Sequence, residues 1–343
     1  MTEVLDILSA EEKERLVRAD VEFVSPMLAT LTHDYFSDPG WIFERKLDGE
    51  RCVAVCSGGR VSLFSRNQKA IDANYPEVRE ALERKFRAAG SRGGDFVVDG
   101  EIVAFVRGLS SFSALQPRMQ AAEPEEARRA GPAIYYYLFD VMRLGGWNTE
   151  QVPLRSRKKV LKRMFCFRDP LRFTAHRNEK GEEFHAEACR KGWEGVIAKK
   201  ADSTYVRRRS KLWLKFKCVN QQEFVIGGFT DPRGSRTGFG ALLLGYYEGG
   251  EGHALRYAGK VGTGFDETTL KSLRERMGGL ETDEPAFAPG EDLPERSVHW
   301  VEPELVCEVG FTEWTGDGRL RHPRFLGLRR DKAPEEVRRE DRA

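Results

Sequence analysis

The sequence predicts an α+β chain of two domains: antiparallel sheets with flanking helices first, then a small closed β-barrel. Three observations predict it. At 343 residues the chain is longer than one ordinary core serves. Through the first two thirds, apolar residues alternate with period two, interrupted by a few stretches of helical period. From about Gln221 the texture changes to short strands separated by glycine-rich turns.

The boundaries follow as an N-terminal helical extension over 1–20, a first domain over 21–219 and a barrel over 220–343. Residues 10–17 have helical period. WIFERK then alternates, with Trp41 and Phe43 on one side and Ile42, Glu44 and Lys46 on the other. Gly49 breaks the pattern, RCVAVC resumes it, Gly58-Gly59 turns it and VSLFSRN returns, giving a meander. A helix is expected over 75–89. FVVDGEIVAF and AIYYYLFDVMRL are further strands, and the second is so apolar that it must be central. GEEFHAEACRKG reads as a short helix stopped by Gly192, feeding the strand WEGVIAKK. In KLWLKFKC, residues 211–218, Lys211, Trp213, Lys215 and Lys217 share one face, opposite Leu212, Leu214, Phe216 and Cys218. That is ordinary amphipathicity, except that lysines crowded on one short face repel unless an anion sits among them.

In the second domain EFVIGGFT, GALLLGYYEGG, ALRYAGKVGTGF and ELVCEVGFTEW are strands, and one helix with Asp266 as N-cap presents Leu270, Leu273 and Met277. Short strands with one helix in this length predict a barrel of the OB type. Residues 121–131 and 281–295 read as exposed, mobile connections, and the tail after Lys332 as frayed.

Composition excludes several classes. The chain is 40% hydrophobic and 32% charged, without an apolar run long enough to span a membrane or a signal-peptide core in its first residues, so a cytoplasmic protein without a membrane partner is expected. A net charge of +2 means that a nucleic acid would be held by local basic patches. The six cysteines are scattered with no CxxC; Cys52 and Cys56 would share a strand face as core, and neither disulfide nor zinc is expected. The six histidines lack HExxH and are expected to be satisfied or exposed. A monomer is the default.

ERKLDGER, residues 44–51, sets a lysine two residues from Asp48 and ahead of a glycine. Such a charge run is ordinarily a solvated face before a turn. The alternative is a nucleophile. A lysine of ordinary pKa needs about 4.6 kcal/mol to bring its neutral form to parity at pH 7, which neighbouring cations, burial or a metal can supply. Arg51, Arg66, Lys215 and Lys217 are candidate cations, and Glu101 and Glu194, from separate strands, are candidate ligands for a divalent ion that also binds phosphate.

Order and spacing decide between these readings. KLDGER at Lys46, SRN at 65–67, DGEIV at 99–103, YLFDV around Phe139, WEGVIAKK at Glu194, LWLKFK ending at Lys217 and RRDK at 329–332 occur in sequence. Over nearly its whole length the chain resembles the ATP-dependent DNA ligases of the covalent nucleotidyltransferase superfamily. SPMLATL, VNQQEFVIGGFTDPRGSRTGFGALLLGYY and RYAGKVGTGF resemble the ligase module of bacterial non-homologous end-joining ligases.

That resemblance implies a nucleotidyltransferase (adenylation) domain followed by an OB-fold domain, and a reaction in three steps: Lys46 takes AMP from ATP, AMP passes to the 5′-phosphate of a DNA nick, and the 3′-hydroxyl displaces it. It implies that Glu44 contacts the adenine edge, Phe139 stacks on the base unless it is plain core, Arg51 and Glu101 hold the ribose, and Glu101 and Glu194 serve Mg2+ or Mn2+. Lys215 and Lys217 would neutralise the α-phosphate and Arg66 would meet the 5′-phosphate. Asp48 would assist the metal or 3′-hydroxyl, or cap a turn. Arg329 and Lys332 would orient pyrophosphate in the first step, with Arg330 an alternative to Arg329. Arg207, Arg208 and Arg209, unless a solvated strand edge, and Arg233 with Arg236 would grip DNA phosphates without reading sequence.

A hinge is expected over 219–222. Left open are the choice between nicks and double-strand breaks, recruitment by an end-binding protein such as Ku, and a stand-alone enzyme against a module of a larger one. An RNA ligase or capping guanylyltransferase shares the lysine motif, and a degenerate ligase that only binds DNA ends would be expected to lack Lys46, Glu101 or Glu194, all of which are present.

Overall fold

The computed structural model describes residues 3–89, 94–218, 220–232, 234, 236–248, 255–294 and 297–340. The chain forms two compact units, Met1–Cys218 and Val219–Asp341.

The first unit holds two sheets. One runs Val17–Arg18, Trp147–Asn148, Ile134–Leu144, Phe96–Val106, Glu50–Ser57, Arg60–Phe64, with Leu171–Phe173 and Leu109–Ser110 paired at its sides. The other runs His176–Glu179, Asp38–Lys46, Gly195–Lys200, Arg209–Lys217, Leu28–Leu31. Alternation sorts their residues. Cys52, Ala54 and Cys56 join Val98, Ile102 and Tyr136 under Val78 and Leu82 of the helix Pro76–Ala89. Val53, Val55, Val97 and Phe139 face the other way, and pack with Tyr205 and with Trp213 of the second sheet. On the far side of that second sheet, Phe43, Val196, Ala198 and Phe216 are covered by Phe184 and Ala188 of the helix Gly181–Arg190. Gly192, at φ 69°, ends that helix as its left-handed backbone requires.

Several expectations are corrected. The N-terminal segment is no extension: Leu5, Leu8 and Leu16 lie in the first core, while the helix itself is only Ala10–Glu14, fixed by a Ser9–Glu12 capping box. Residues 121–131 contain the helix Pro124–Arg129 with Ala127 buried. In 281–295, Phe287 packs in the second core and Glu291 pairs with Arg256 at 3.1 Å and Arg319 at 3.3 Å. The tail is held by Val337, wholly buried. In each case a few buried side chains scattered through a polar run anchor the segment, a pattern too sparse for periodicity to register.

The helix Leu154–Met164 was not expected at all. Its sequence, LRSRKKVLKRM, shows few apolar positions because two of its inward positions are Arg157 and Lys158, both buried. Cys189 and Cys218 form a disulfide, with Cα atoms 5.1 Å apart, against the expectation of none. They are 29 residues apart without a spacing motif, and meet because the helix Gly181–Arg190 packs on the sheet beside the end of Arg209–Lys217. Cys52, Cys56 and Cys307 are buried free thiols and Cys166 an exposed one.

The second unit is an OB-fold domain built on Asn220–Thr230. Its first half pairs with Val306–Phe311 and its last residues with Val298–Val301, while the other edge pairs with Leu242–Tyr246. Arg256–Val261 and Arg324–Arg329 extend the sheet. A register shift between Ile226 and Gly228 bends the central strand. The helix Glu267–Gly278 starts at Asp266, whose carboxylate accepts from Thr269 N at 2.7 Å, and buries Leu270, Leu273 and Met277.

Candidate active site

Strand register assembles the site. Lys46 pairs with Gly195, and Gly195 with Lys217; Glu44 pairs with Ile197, and Ile197 with Lys215; Lys199 pairs with Trp213. Directly opposed residues share a sheet face, so Glu44, Lys46, Lys199, Trp213, Lys215 and Lys217 lie on the face turned away from the Gly181–Arg190 helix. In the first sheet, Arg51 pairs with Glu101, and Glu101 with Tyr137. Phe139 and Trp213, one from each sheet, meet edge to face at 6.0 Å.

Lys46 Nζ donates to Glu194 Oε1, with the Glu194 side chain only 5% exposed. Glu194 Oε2 is buried without a hydrogen-bond partner. Two glycines permit this arrangement. Gly195 has φ 150°, and a Cβ there would lie 2.0 Å from Phe216 O. A Cβ on Gly49 would lie 2.2 Å from Ile102 O. The glycine of KLDG is therefore a point where the turn presses on the Glu101 strand. Asp48 Oδ2 accepts from Phe112 N at 3.0 Å, and its own N–H donates to Ser110 Oγ at 3.1 Å, so Asp48 ties this turn to the neighbouring segment.

Glu44 is wholly enclosed and bridges two lysines: Lys158 Nζ donates to its Oε1, and Lys199 Nζ lies 2.6 Å from its Oε2 in an ion pair that lacks hydrogen-bond geometry. Burial pushes the carboxyl up, but the two ammoniums outweigh it and hold its pKa below the ordinary range. Burial lowers Lys199 to about 8 against the opposing pull of Glu44, with Lys158 adding to the fall. Its ammonium also sits 4.1 Å from the centre of Phe139 and 4.0 Å from that of Trp213. Arg51 is held by both oxygens of Asp99, at 2.6 Å each, and by Met27 O at 3.0 Å; its guanidinium lies 4.7 Å from the centre of Phe139. Desolvation would lower the Arg51 pKa, but Asp99 more than reverses it. Tyr205 donates to the same Asp99 at 2.6 Å.

Lys215, Lys217, Glu101 and Arg66 are each half-buried, Arg66 in the turn that follows Arg60–Phe64. The arginine triplet splits: Arg207 is bound by Glu150 through two 2.9 Å bonds, Arg209 donates to Ala29 O at 2.5 Å, and Arg208 is exposed. In the second unit Arg236 donates to Gly262 O at 2.8 Å. Arg233 and Val219, where the expected hinge would begin, lie outside the described residues, and Asn220 onward is strand. Arg329 is clamped by both Asp331 oxygens, at 2.8 and 2.7 Å, and by Glu308 at 2.7 Å; Lys332 pairs with Glu223 at 2.9 Å. Burial alone would lower the Arg329 pKa, and Asp331 and Glu308 raise it instead.

Sequence reasoning missed Lys158, Lys199, Asp99 and Tyr205. For Lys199 the signal was available, since the alternation of WEGVIAKK puts it on the face of Gly195 and Ile197. Lys158 carries no such signal, lying on a helix that sequence pattern did not reveal.

A family model described as the ATP dependent DNA ligase domain matches residues 26–217, and one described as the ATP dependent DNA ligase C terminal region matches 235–332. The chain belongs to the ATP-dependent DNA ligases. The multifunctional non-homologous end joining protein LigD of Pseudomonas aeruginosa is 40% identical over 320 residues, 92% of this chain and 36% of that protein. LigD of Mycolicibacterium smegmatis is 37% identical over 321 residues, 92% of this chain and 40% of its own. The ligase chain thus spans about two fifths of the length of these curated relatives. A solved structure of mycobacterial DNA ligase D, complexed with ATP and MES, is 34% identical and covers 93% of this chain and 99% of that one at a TM-score of 0.66. No helix among the described residues is long and apolar enough to cross a membrane.

Proposed function

We propose that this ligase seals 5′-phosphate/3′-hydroxyl breaks in duplex DNA through a lysyl-AMP and then a DNA-adenylate, with Lys46 as nucleophile. The observation that carries the assignment is the single row Lys46–Gly195–Lys217 with Glu194 against the Lys46 amine. In the first step Lys46 Nζ attacks the α-phosphorus of ATP and pyrophosphate leaves. In this structure the Lys46 amine donates to Glu194 Oε1. Once that contact is released, Lys215 and Lys217 on the same face leave it in a cationic field that favours loss of its proton. The same two lysines neutralise the α-phosphate, a task of positioning and charge that phosphoryl transfer demands.

Phe139 supplies the stacking surface for adenine. Arg51, fixed by Asp99, and Glu101 hold the ribose. Glu44 acts at the adenine end of the site together with Lys158 and Lys199. Arg66 receives the 5′-phosphate, and Asp48 orders the turn that carries Lys46. Arg329 and Lys332 of the second unit orient the pyrophosphate, and Arg208 of the first unit and Arg236 of the second contribute phosphate contacts.

A divalent ion fits the donor set. The orphaned Glu194 Oε2 offers a buried carboxylate oxygen, and Glu194 with Glu101 would hold magnesium or manganese, which supplies charge neutralisation at the phosphate oxygens. The end-joining role of the LigD relatives extends by the same reasoning to a cytoplasmic repair enzyme acting on broken ends, with an end-binding protein such as Ku as partner.

The test is intact-mass and peptide mass spectrometry after incubation with ATP and magnesium. An AMP adduct on Lys46, absent in Lys46→Ala, is expected. An adduct on another residue, or GTP outcompeting ATP, would overturn the assignment.

A further inference from the structure

The disulfide lies outside the chemistry above yet touches it. His185 and Cys189 are one helical turn apart on Gly181–Arg190, and His185 Nε2 lies 3.4 Å from Cys189 Sγ. Cys218, the other half of the bridge, is the residue after Lys217 and the last of the first unit. Its backbone N–H donates to Glu194 O at 3.0 Å. The carbonyl of Lys217 is approached at 3.3 Å by both His185 Nε2 and the Tyr35 hydroxyl, and the His185 ring lies 4.0 Å from that of Tyr35. One small cluster therefore grips the main chain of two site residues, Glu194 and Lys217. Cys189 is exposed, so a reagent in solution can reach the bridge.

We propose that Cys189–Cys218 is a reversible thiol–disulfide site that tunes lysine adenylation. The inference rests on the reading of Lys46 as the adenylated residue. Oxidised, the bridge fixes Cys218, and through it the backbone of Glu194 and Lys217, so the row on which Lys46 reacts is pre-organised. Reduced, the helix and the strand end are joined only by non-covalent contacts and the row loosens. The exchange balances with a small-molecule dithiol. One of its thiolates attacks a bridge sulfur, the second resolves the mixed disulfide, and the products are the two protein thiols and the cyclic disulfide of the reagent. The protons of the reagent's two thiols pass through solvent to the two cysteine thiolates, Cys189 being exposed, and His185 Nε2–H stays on the Lys217 carbonyl.

The experiment uses the full chain, equilibrated with oxidised or reduced dithiothreitol, with thiol alkylation and mass spectrometry counting the bridge. Single-turnover AMP-adduct formation is then measured at saturating ATP and across ATP concentrations, far below the melting temperature. The oxidised protein should form the adduct about fivefold or more faster than the reduced one, with the ATP concentration for half-maximal rate unchanged. Cys189→Ser and Cys218→Ser should each sit at the reduced rate and ignore the reagent.

Equal rates in both redox states, or a variant still responsive to the reagent, would overturn the proposal while leaving Lys46 as nucleophile. A chain forming no adduct in either state would overturn the proposed function itself. A reduced chain that takes up one zinc ion and loses the capacity with either Ser variant, its adduct rate following zinc and not the bridge, would replace the redox site by a His–Cys–Cys metal site.

Discussion

Replacing Glu44 by Gln tests how the adenine end of the site is held. The carboxylate is the counter-ion of Lys158 and Lys199, whose side chains are 1% and 2% exposed. Removing one partner of a buried ion pair costs about 3–5 kcal/mol, because the remaining charge is left in a low-dielectric site. For a unit of this size that lowers the melting temperature by about 10 °C. The loss must depend on pH. Lys199, lowered to about 8 by burial, is raised by Glu44, so without Glu44 it sheds its proton at still lower pH.

A lysine with a depressed folded pKa binds fewer protons folded than unfolded, so stability rises with pH above the folded value. The variant enters that window earlier than the parent, and the gap between them narrows as pH climbs from 6 to 8. Toward acid the gap also closes, since the depressed carboxyl of Glu44 stabilises the fold only above its folded pKa. Chemical denaturation of both proteins at pH 6 and pH 8 measures this. A loss below about 1 kcal/mol at pH 6, or an equal loss at both values, would refute the reasoning.

Gly195→Ala should abolish adduct formation, since its Cβ would meet Phe216 O at 2.0 Å in backbone of φ 150°; a fully active variant contradicts the register drawn for Lys46 and Lys217. Phe139→Leu keeps the packing but loses the ring, and the ATP KM for adduct formation should rise about 3- to 10-fold from lost stacking. Arg329→Ala should slow adduct formation while pre-adenylated nicks are sealed at nearly the parent rate; equal damage to both steps argues against a first-step role. Arg157→Met leaves Asp140 buried and without its bidentate partner (2.7 and 2.8 Å), and should destabilise the chain by about 3–5 kcal/mol in urea titration.

Much of this protein was legible in the sequence because strands encode their faces locally. Alternation alone puts Glu44 with Lys46 and separates Trp213, Lys215 and Lys217 from Phe216, and Asp266 announces its helix by a capping carboxylate. Tertiary structure decided what depends on partners distant in the chain. Lys158 and Arg157 made a helix look like a solvated basic run, because nothing local reveals that Glu44 and Asp140 neutralise them. Cys189 and Cys218 bond only because a helix packs beside the end of a strand. Periodicity reports which way a side chain points, whereas burial of charge and covalent pairing are set by what it meets there.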